Sequence, residues 1–194
     1  MRTPNSFCRS AIHRASYLIA LSILALPVAQ AQLNSNAATV TLNATLGEAL
    51  TVSASPSTVN FTLVQGGVAV GSTAVAIQTT WLLLPTRANL VLDGYFSSAT
   101  AALTDGATTP DNIPTSAVLG QMTTGTPTTF TAFTQTAALG PAGAGLTLFT
   151  VPLTLLNRAG TRTDNLNLEI NLSGLPQLPA GSYTGTLTLQ AQAL

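Results

Sequence analysis

From residue 38 onward, apolar and polar side chains alternate along much of the chain. Ala38, Val40, Leu42, Ala44 and Leu46 fall on one side, with Thr39, Thr41, Asn43 and Thr45 on the other. Leu50, Val52 and Ala54 continue the pattern against Thr51, Ser53 and Ser55. Leu166, Leu168, Ile170 and Leu172 alternate with Asn165, Asn167, Glu169 and Asn171. At the end, Tyr183, Gly185, Leu187, Leu189, Ala191 and Ala193 oppose Thr184, Thr186, Thr188, Gln190 and Gln192. Successive strand side chains point to opposite faces, so a period of two predicts strands with one face buried. Further strands are predicted over residues 59–64, 68–83, 89–95 and 146–156.

Breaks in the pattern carry turn-forming residues. Ser55-Pro56-Ser57, Gln65-Gly66-Gly67, Asp93-Gly94, Arg158-Ala159-Gly160 and Pro179-Ala180-Gly181 are all read as turns. Many short strands, frequent Gly and Pro turns and no capped helical period predict an all-β protein. The expected fold is an Ig-like antiparallel β-sandwich. Residues 97–145 are different, being rich in Thr, Ala, Gly and Pro and nearly free of charge. They read as long loops with short strands at 118–122 and 128–134. Such loops either link edge strands or carry a binding surface.

Residues 1–31 follow another logic. Arg2, Arg9 and Arg14 precede an apolar run at 17–28 (YLIALSILALPV), and Ala29-Gln30-Ala31 follows it. A basic region, a short apolar region and a small-residue site together predict a cleaved secretory signal peptide. The run is shorter than the roughly 20 apolar residues a membrane span needs. Residues 32–194 then form a single domain, with 32–47 available as an extension. No later run is apolar enough to predict a span. The expected location is the periplasm in transit, then the cell surface or the medium.

Composition narrows the chemistry. Only 6% of the 194 residues are charged, against about a quarter in an average soluble protein. All six basic residues are Arg, so no lysine is present for a phosphate loop or a Schiff base. Neutralising a nucleic-acid backbone takes clustered positive charge, which this chain lacks. Cys8 and His13 fall in the leader. After cleavage no Cys or His remains, which excludes disulfides, thiol nucleophiles, His-containing triads and His- or Cys-ligated zinc. Three Arg then face six carboxylates, a net charge of −3.

The carboxylates form no recognisable acid–base pair. Asp164 and Glu169 are five apart, so one strand would place them on opposite faces. Asp105 and Asp111 lack the dense spacing of a calcium loop and read as turn formers. Trp81 reads as a core or interface aromatic. No enzyme, catalytic residue, metal or cofactor is expected.

Two end segments carry a resemblance. Residues 38–55 (ATVTLNATLGEALTVSAS), running on to Val59-Asn60-Phe61, and residues 178–191 (LPAGSYTGTLTLQA) resemble the spore coat protein U family. That family includes subunits of archaic chaperone–usher pili. Leu50 to Ala54 resembles its first domain strand, and Ala180 to Thr184 its closing strand. Leu50 stands where those subunits carry Cys, and the last five residues lack their terminal aromatic.

The resemblance implies a subunit of a surface fibre whose sandwich lacks one strand. The gap would be filled first by a periplasmic chaperone, with an usher in attendance, and then by the next subunit's extension. Its partners would be copies of itself or related subunits. The inserting side chains would be Ala38, Val40, Leu42, Ala44 and Leu46. Leu187, Leu189, Ala191 and Ala193 would line the edge they meet. The alternative is a self-contained secreted sandwich that binds a glycan or surface partner through residues 97–145. In that case the first strand would pair within its own chain, with Gly47-Glu48 as the turn.

Overall fold

The computed structural model describes residues 36–107, 111–175 and 177–194. The chain separates into two compact units, Met1–Ala44 and Thr45–Leu194. In the first unit, described residues 36–44 are exposed and belong to no strand. The leader expected over residues 1–31 lies outside the described residues.

The second unit is built from antiparallel strands, and no α-helix occurs among the described residues. In chain order they are β1 (Ala49–Ser55), β2 (Val68–Val70), β3 (Val75–Leu82), β4 (Asn89–Tyr95), β5 (Leu103–Thr104) and β6 (Asn112–Ile113). There follow β7 (Val118–Met122), β8 (Thr131–Ala132), β9 (Gly145–Pro152), β10 (Ala159–Asn171) and β11 (Thr188–Ala193). One sheet runs β1-β3-β10-β7-β8, with β2 pairing on β10. The second runs β11-β4-β9, and β5 and β6 form a small ribbon. This is the expected all-β, antiparallel, two-sheet architecture.

The inward faces explain why these segments pair as they do. Val75, Ile77, Thr79 and Trp81 of β3 are buried, and their odd-numbered spacing is the strand period. Leu166, Leu168 and Ile170 face the same core from β10, and Leu90 and Leu92 face it from β4. Leu146, Leu148, Phe149 and Phe133 complete it. Trp81 is a core residue, as read, and its indole N–H donates to the Asn157 carbonyl at 2.9 Å. A side chain at position 160 would collide with the Trp81 ring, so Gly160 gives the indole its seat.

The register defines two ends of the body. Ala49, Leu82 and Ala159 lie level, as do Asn89 and Pro152, and the Leu194 amide bonds to Asn89. We call this end the base. There Glu48 accepts hydrogen bonds from the Leu84 amide at 2.9 Å and from Arg87 at 3.0 and 3.2 Å. Arg158 donates to the Leu84 and Arg87 carbonyls. At the far end, β2 pairs with Glu169 to Asn171, and the Gly67 carbonyl accepts from the Leu172 amide.

Several sequence expectations need correction. Residues 38–46 form no strand, because alternation alone makes none without ladder hydrogen bonds. Residues 59–64 keep the alternation but also lack a ladder partner. Residues 68–83 divide into β2 and β3 at a bend through Ser72-Thr73. Arg158-Ala159-Gly160 is not a turn but leads into β10, whose polar first half also pairs with β3. Asp93-Gly94 lies inside β4 at a bulge. The final strand begins at Thr188 rather than Tyr183, and residues 153–157 turn after β9.

Residues 97–145 are less loop-like than their composition implies. β7 is an interior strand of the larger sheet, and Ile113, Met122 and Phe133 are fully buried.

Candidate functional site

The clearest concavity lies between residues 57–63 and residues 182–189, with a volume of about 750 Å³. Val59, Phe61 and Leu63 form one wall, and Tyr183, Leu187 and Leu189 form the other. Val75, Phe96, Val118, Leu168 and Ile170 lie along its floor. The groove therefore opens directly onto the hydrophobic core.

Its walls are unfinished sheet edges. Residues 57–64 run on from β1 without joining a ladder. Asn60 is held by the Ser72 amide and hydroxyl at 2.9 and 3.2 Å, and the Val64 carbonyl accepts from the Gly67 amide at 2.9 Å. On the other wall, β11 has a ladder with β4 alone among the described residues, and the Ala193 carbonyl accepts from Arg87. Thr184 exchanges two 2.9 Å bonds with Thr104, which hold the closing segment upstream of β11. Gly185 makes that approach possible, because a Cβ there would collide with the Ala102 carbonyl. β1 and β11 also pack against each other. Beyond the groove the Leu178 amide donates to the Gln65 side chain at 3.1 Å, tying together the segments that flank the two walls.

The four residues expected on the acceptor edge fall in two places. Leu187 and Leu189 line the groove. Ala191 and Ala193 are half-buried further toward the base, packed on the core beyond the groove lining. In the N-terminal segment Ala38, Val40, Leu42, Ala44 and Leu46 are all exposed, with Val40 at 82%, Leu42 at 89% and Leu46 at 74%.

The groove lining contains no carboxylate and no basic side chain. It offers apolar surface and unpaired main chain, which suits binding of an extended peptide rather than acid–base chemistry. Titratable groups lie elsewhere. Asp164 and Glu169 are on opposite faces of β10, as expected, with Asp164 buried. Asp105 accepts from the Ala107 and Asp111 amides, the turn role expected of it. Among the described residues no three of His, Cys, Asp or Glu gather as a metal site.

Two features escaped sequence reading. Arg162 makes a bidentate pair with Asp164 at 2.6 and 2.7 Å, donates to the Thr124 carbonyl and stacks 4.7 Å above the Phe149 ring centre. The Thr124 hydroxyl completes the clamp on Asp164 at 2.6 Å. Burial pushes the Asp164 carboxyl up, but Arg162 and Thr124 outweigh it and hold the group below its ordinary range. The Arg-x-Asp spacing was the available signal, since residues two apart share a strand face. The second feature is Asp93. It is fully buried without a cationic partner, and its main support is the Thr147 hydroxyl at 2.8 Å. Burial pushes its carboxyl above the ordinary range.

Comparison of the chain with protein-family models, with curated proteins and with solved structures finds no match.

Proposed function

We propose that this protein is an exported, non-enzymatic subunit of a surface fibre, assembled by strand donation between copies. Its Ig-like sandwich lacks one strand, and the 38–46 segment of a second copy supplies it. One observation carries this reading. The chain holds both an apolar groove between unpaired strand edges and an alternating apolar segment with no ladder partner.

The two parts are complementary in chemistry. Nine extended residues span about 30 Å. Burying a Val or Leu side chain is worth about 1.5–3 kcal/mol, so Val40, Leu42 and Leu46 would contribute on the order of 6 kcal/mol before ordering costs. The donated main chain would also pair with the outer edge of β11. A contact that joins two different surfaces head to tail does not close on itself, and so builds a filament. Before assembly, a periplasmic chaperone would cover the same groove and an usher would organise the exchange. The loop-binding alternative draws less support, because the 97–145 stretch places Ile113, Met122 and Phe133 in the core.

Light scattering on dilute protein tests this reading, without and with excess peptide spanning residues 37–47. Self-association alone, and a soluble monomer with bound peptide, are the expected results. A stable monomer indifferent to the peptide would overturn the proposal.

A further inference from the structure

Asp93 is a buried carboxyl that strand donation leaves unused. Its neighbours Leu92 and Gly94 face the core, so its side chain leaves the smaller sheet on the outer face. It is nevertheless fully buried there. Its Oδ1 accepts from the Thr147 hydroxyl at 2.8 Å. The Ala138 and Leu139 amides face the carboxyl and favour its charged form. Even so, Oδ2 is left without a hydrogen-bond partner among the described residues.

The cover over Asp93 is the loop that leads from β8 to β9. It is pinned at its ends. Gln135 and Gly145 exchange main-chain bonds at 2.8 and 3.3 Å, and the Ala144 carbonyl accepts from the Phe96 amide at 3.0 Å. The Gly143 carbonyl accepts from the Thr115 hydroxyl at 3.1 Å. Between these pins the chain only rests on the sheet. Ala137 and Leu139 are half-buried, and residues 136, 138 and 140–142 are exposed. Gly140, with φ +82°, lies so close to the Tyr95 ring that a Cβ there would collide with it. Residues 136–144 belong to no ladder, whereas β9 and β11 flank Asp93 with ladders on both sides of β4.

Among the described residues no charged side chain faces Asp93 from the elements packed around it. β9 supplies Thr147, β11 supplies Gln190 level with Asp93, and the 134–144 loop holds no titratable residue. Tyr95, on β4 itself, donates its hydroxyl to Gln190 at 2.9 Å.

We propose that residues 136–142 form a flap that is latched over the protonated Asp93 carboxyl and released when that carboxyl ionises. A neutral carboxyl can lie under the flap with Thr147 as its partner. An ionised one is a desolvated charge with no counter-ion, which favours any motion that admits water. β9 and β11 can yield only by breaking ladders, whereas the flap lifts by giving up the contacts of Ala137 and Leu139. The sense of the switch agrees with burial, which pushes the carboxyl above its ordinary range. The flap is therefore shut in acid and loosens as pH rises through the folded value. Release uncovers the outward face of β4 and β9. No residue of the flap lines the groove, so the inference does not depend on strand donation.

Hydrogen exchange of the full chain, followed across pH and corrected for intrinsic rates, tests the flap. Amides of 136–142 are expected to lose protection several-fold as Asp93 titrates, which its carboxyl carbon resonance reports in parallel. Amides from Leu166 to Ile170 of β10 are expected to keep theirs. Asp93→Asn is expected to hold the flap's protection constant across the range. Thr147→Val removes a bond that favours the charged form, and is expected to move release to higher pH. Protection at 136–142 that ignores pH in the parent, or that follows pH unchanged in Asp93→Asn, overturns the flap. Should the Asn variant fail to fold, a release unmoved in Thr147→Val overturns it equally.

Discussion

The two long edges of the body solve the same problem differently. Between β7 and β9 the gap is sealed from within the chain. The Thr126 amide bonds to Leu148, Phe133 bonds back to Val118, and Gln135 pairs with Gly145. Phe133 fills the core beneath this crossing, and Arg162 clamps Thr124 to Asp164. Residues 57–63 and 182–189 share no ladder among the described residues, and the space between them is a groove. A two-sheet body can thus complete one edge itself and leave the other unfinished. The sealed edge should set intrinsic stability, and the open edge should set association.

The largest expected effect falls on the sealed edge. Phe133→Ala should cost about 3–5 kcal/mol, as for a fully buried aromatic, read as a lowered urea midpoint. Phe61→Ala on the open wall should cost much less in the monomer and weaken peptide capture instead. Equal losses at the two positions would break the comparison.

Next comes the clamp. Asp164→Asn leaves Arg162 without its counter-charge and should cost about 3 kcal/mol at neutral pH. The Asp164 carboxyl is held below its ordinary range, so its contribution is present above that range and lost as pH falls through the folded value. The acid limb of the parent's stability profile should therefore flatten in the variant. At the open edge, peptide 37–47 at about 100 times its Kd should stabilise the parent by about 2.7 kcal/mol. A peptide with Leu42→Asp should give no thermal shift.

The smallest effect is expected at Asp93. Its folded carboxyl is raised by burial, so its contribution is greatest in acid and is lost as pH rises through the folded value. Asp93→Asn should therefore be neutral in acid and gain about 1 kcal/mol near neutrality, where an unpaired buried charge is no longer required. Urea titrations across pH would show opposite slopes for the two aspartates. Parallel slopes would contradict their assigned environments.

Much of the fold was legible because burial writes a period of two into the sequence. The inward faces of β3 and of the Leu166 to Ile170 half of β10 follow that rule. The misreadings occur where polar residues occupy inward positions. Arg158-Ala159-Gly160 looked like a turn and the strand was read only from Asn165, because the inward position 164 is an aspartate satisfied by Arg162. Asp93-Gly94 looked like a turn, yet a bulge holds it within β4. Residues 59–64 show the opposite case. Their alternation is real, but pairing depends on a distant partner, and no local pattern records its absence. The groove was thus visible only as a resemblance of the chain ends, and the split of the acceptor edge at Leu189 was not visible at all.

The arrangement of the arginines has a practical consequence. Arg87 is tied to Glu48, Arg158 to two carbonyls, and Arg162 to Asp164 beneath the 124 loop. They are the only basic side chains after Arg14, because the sequence has no lysine. A trypsin-like protease needs its target arginine drawn out into an extended chain. The folded body offers none without first breaking one of these anchorages. Digestion of this region should therefore follow unfolding rather than precede it.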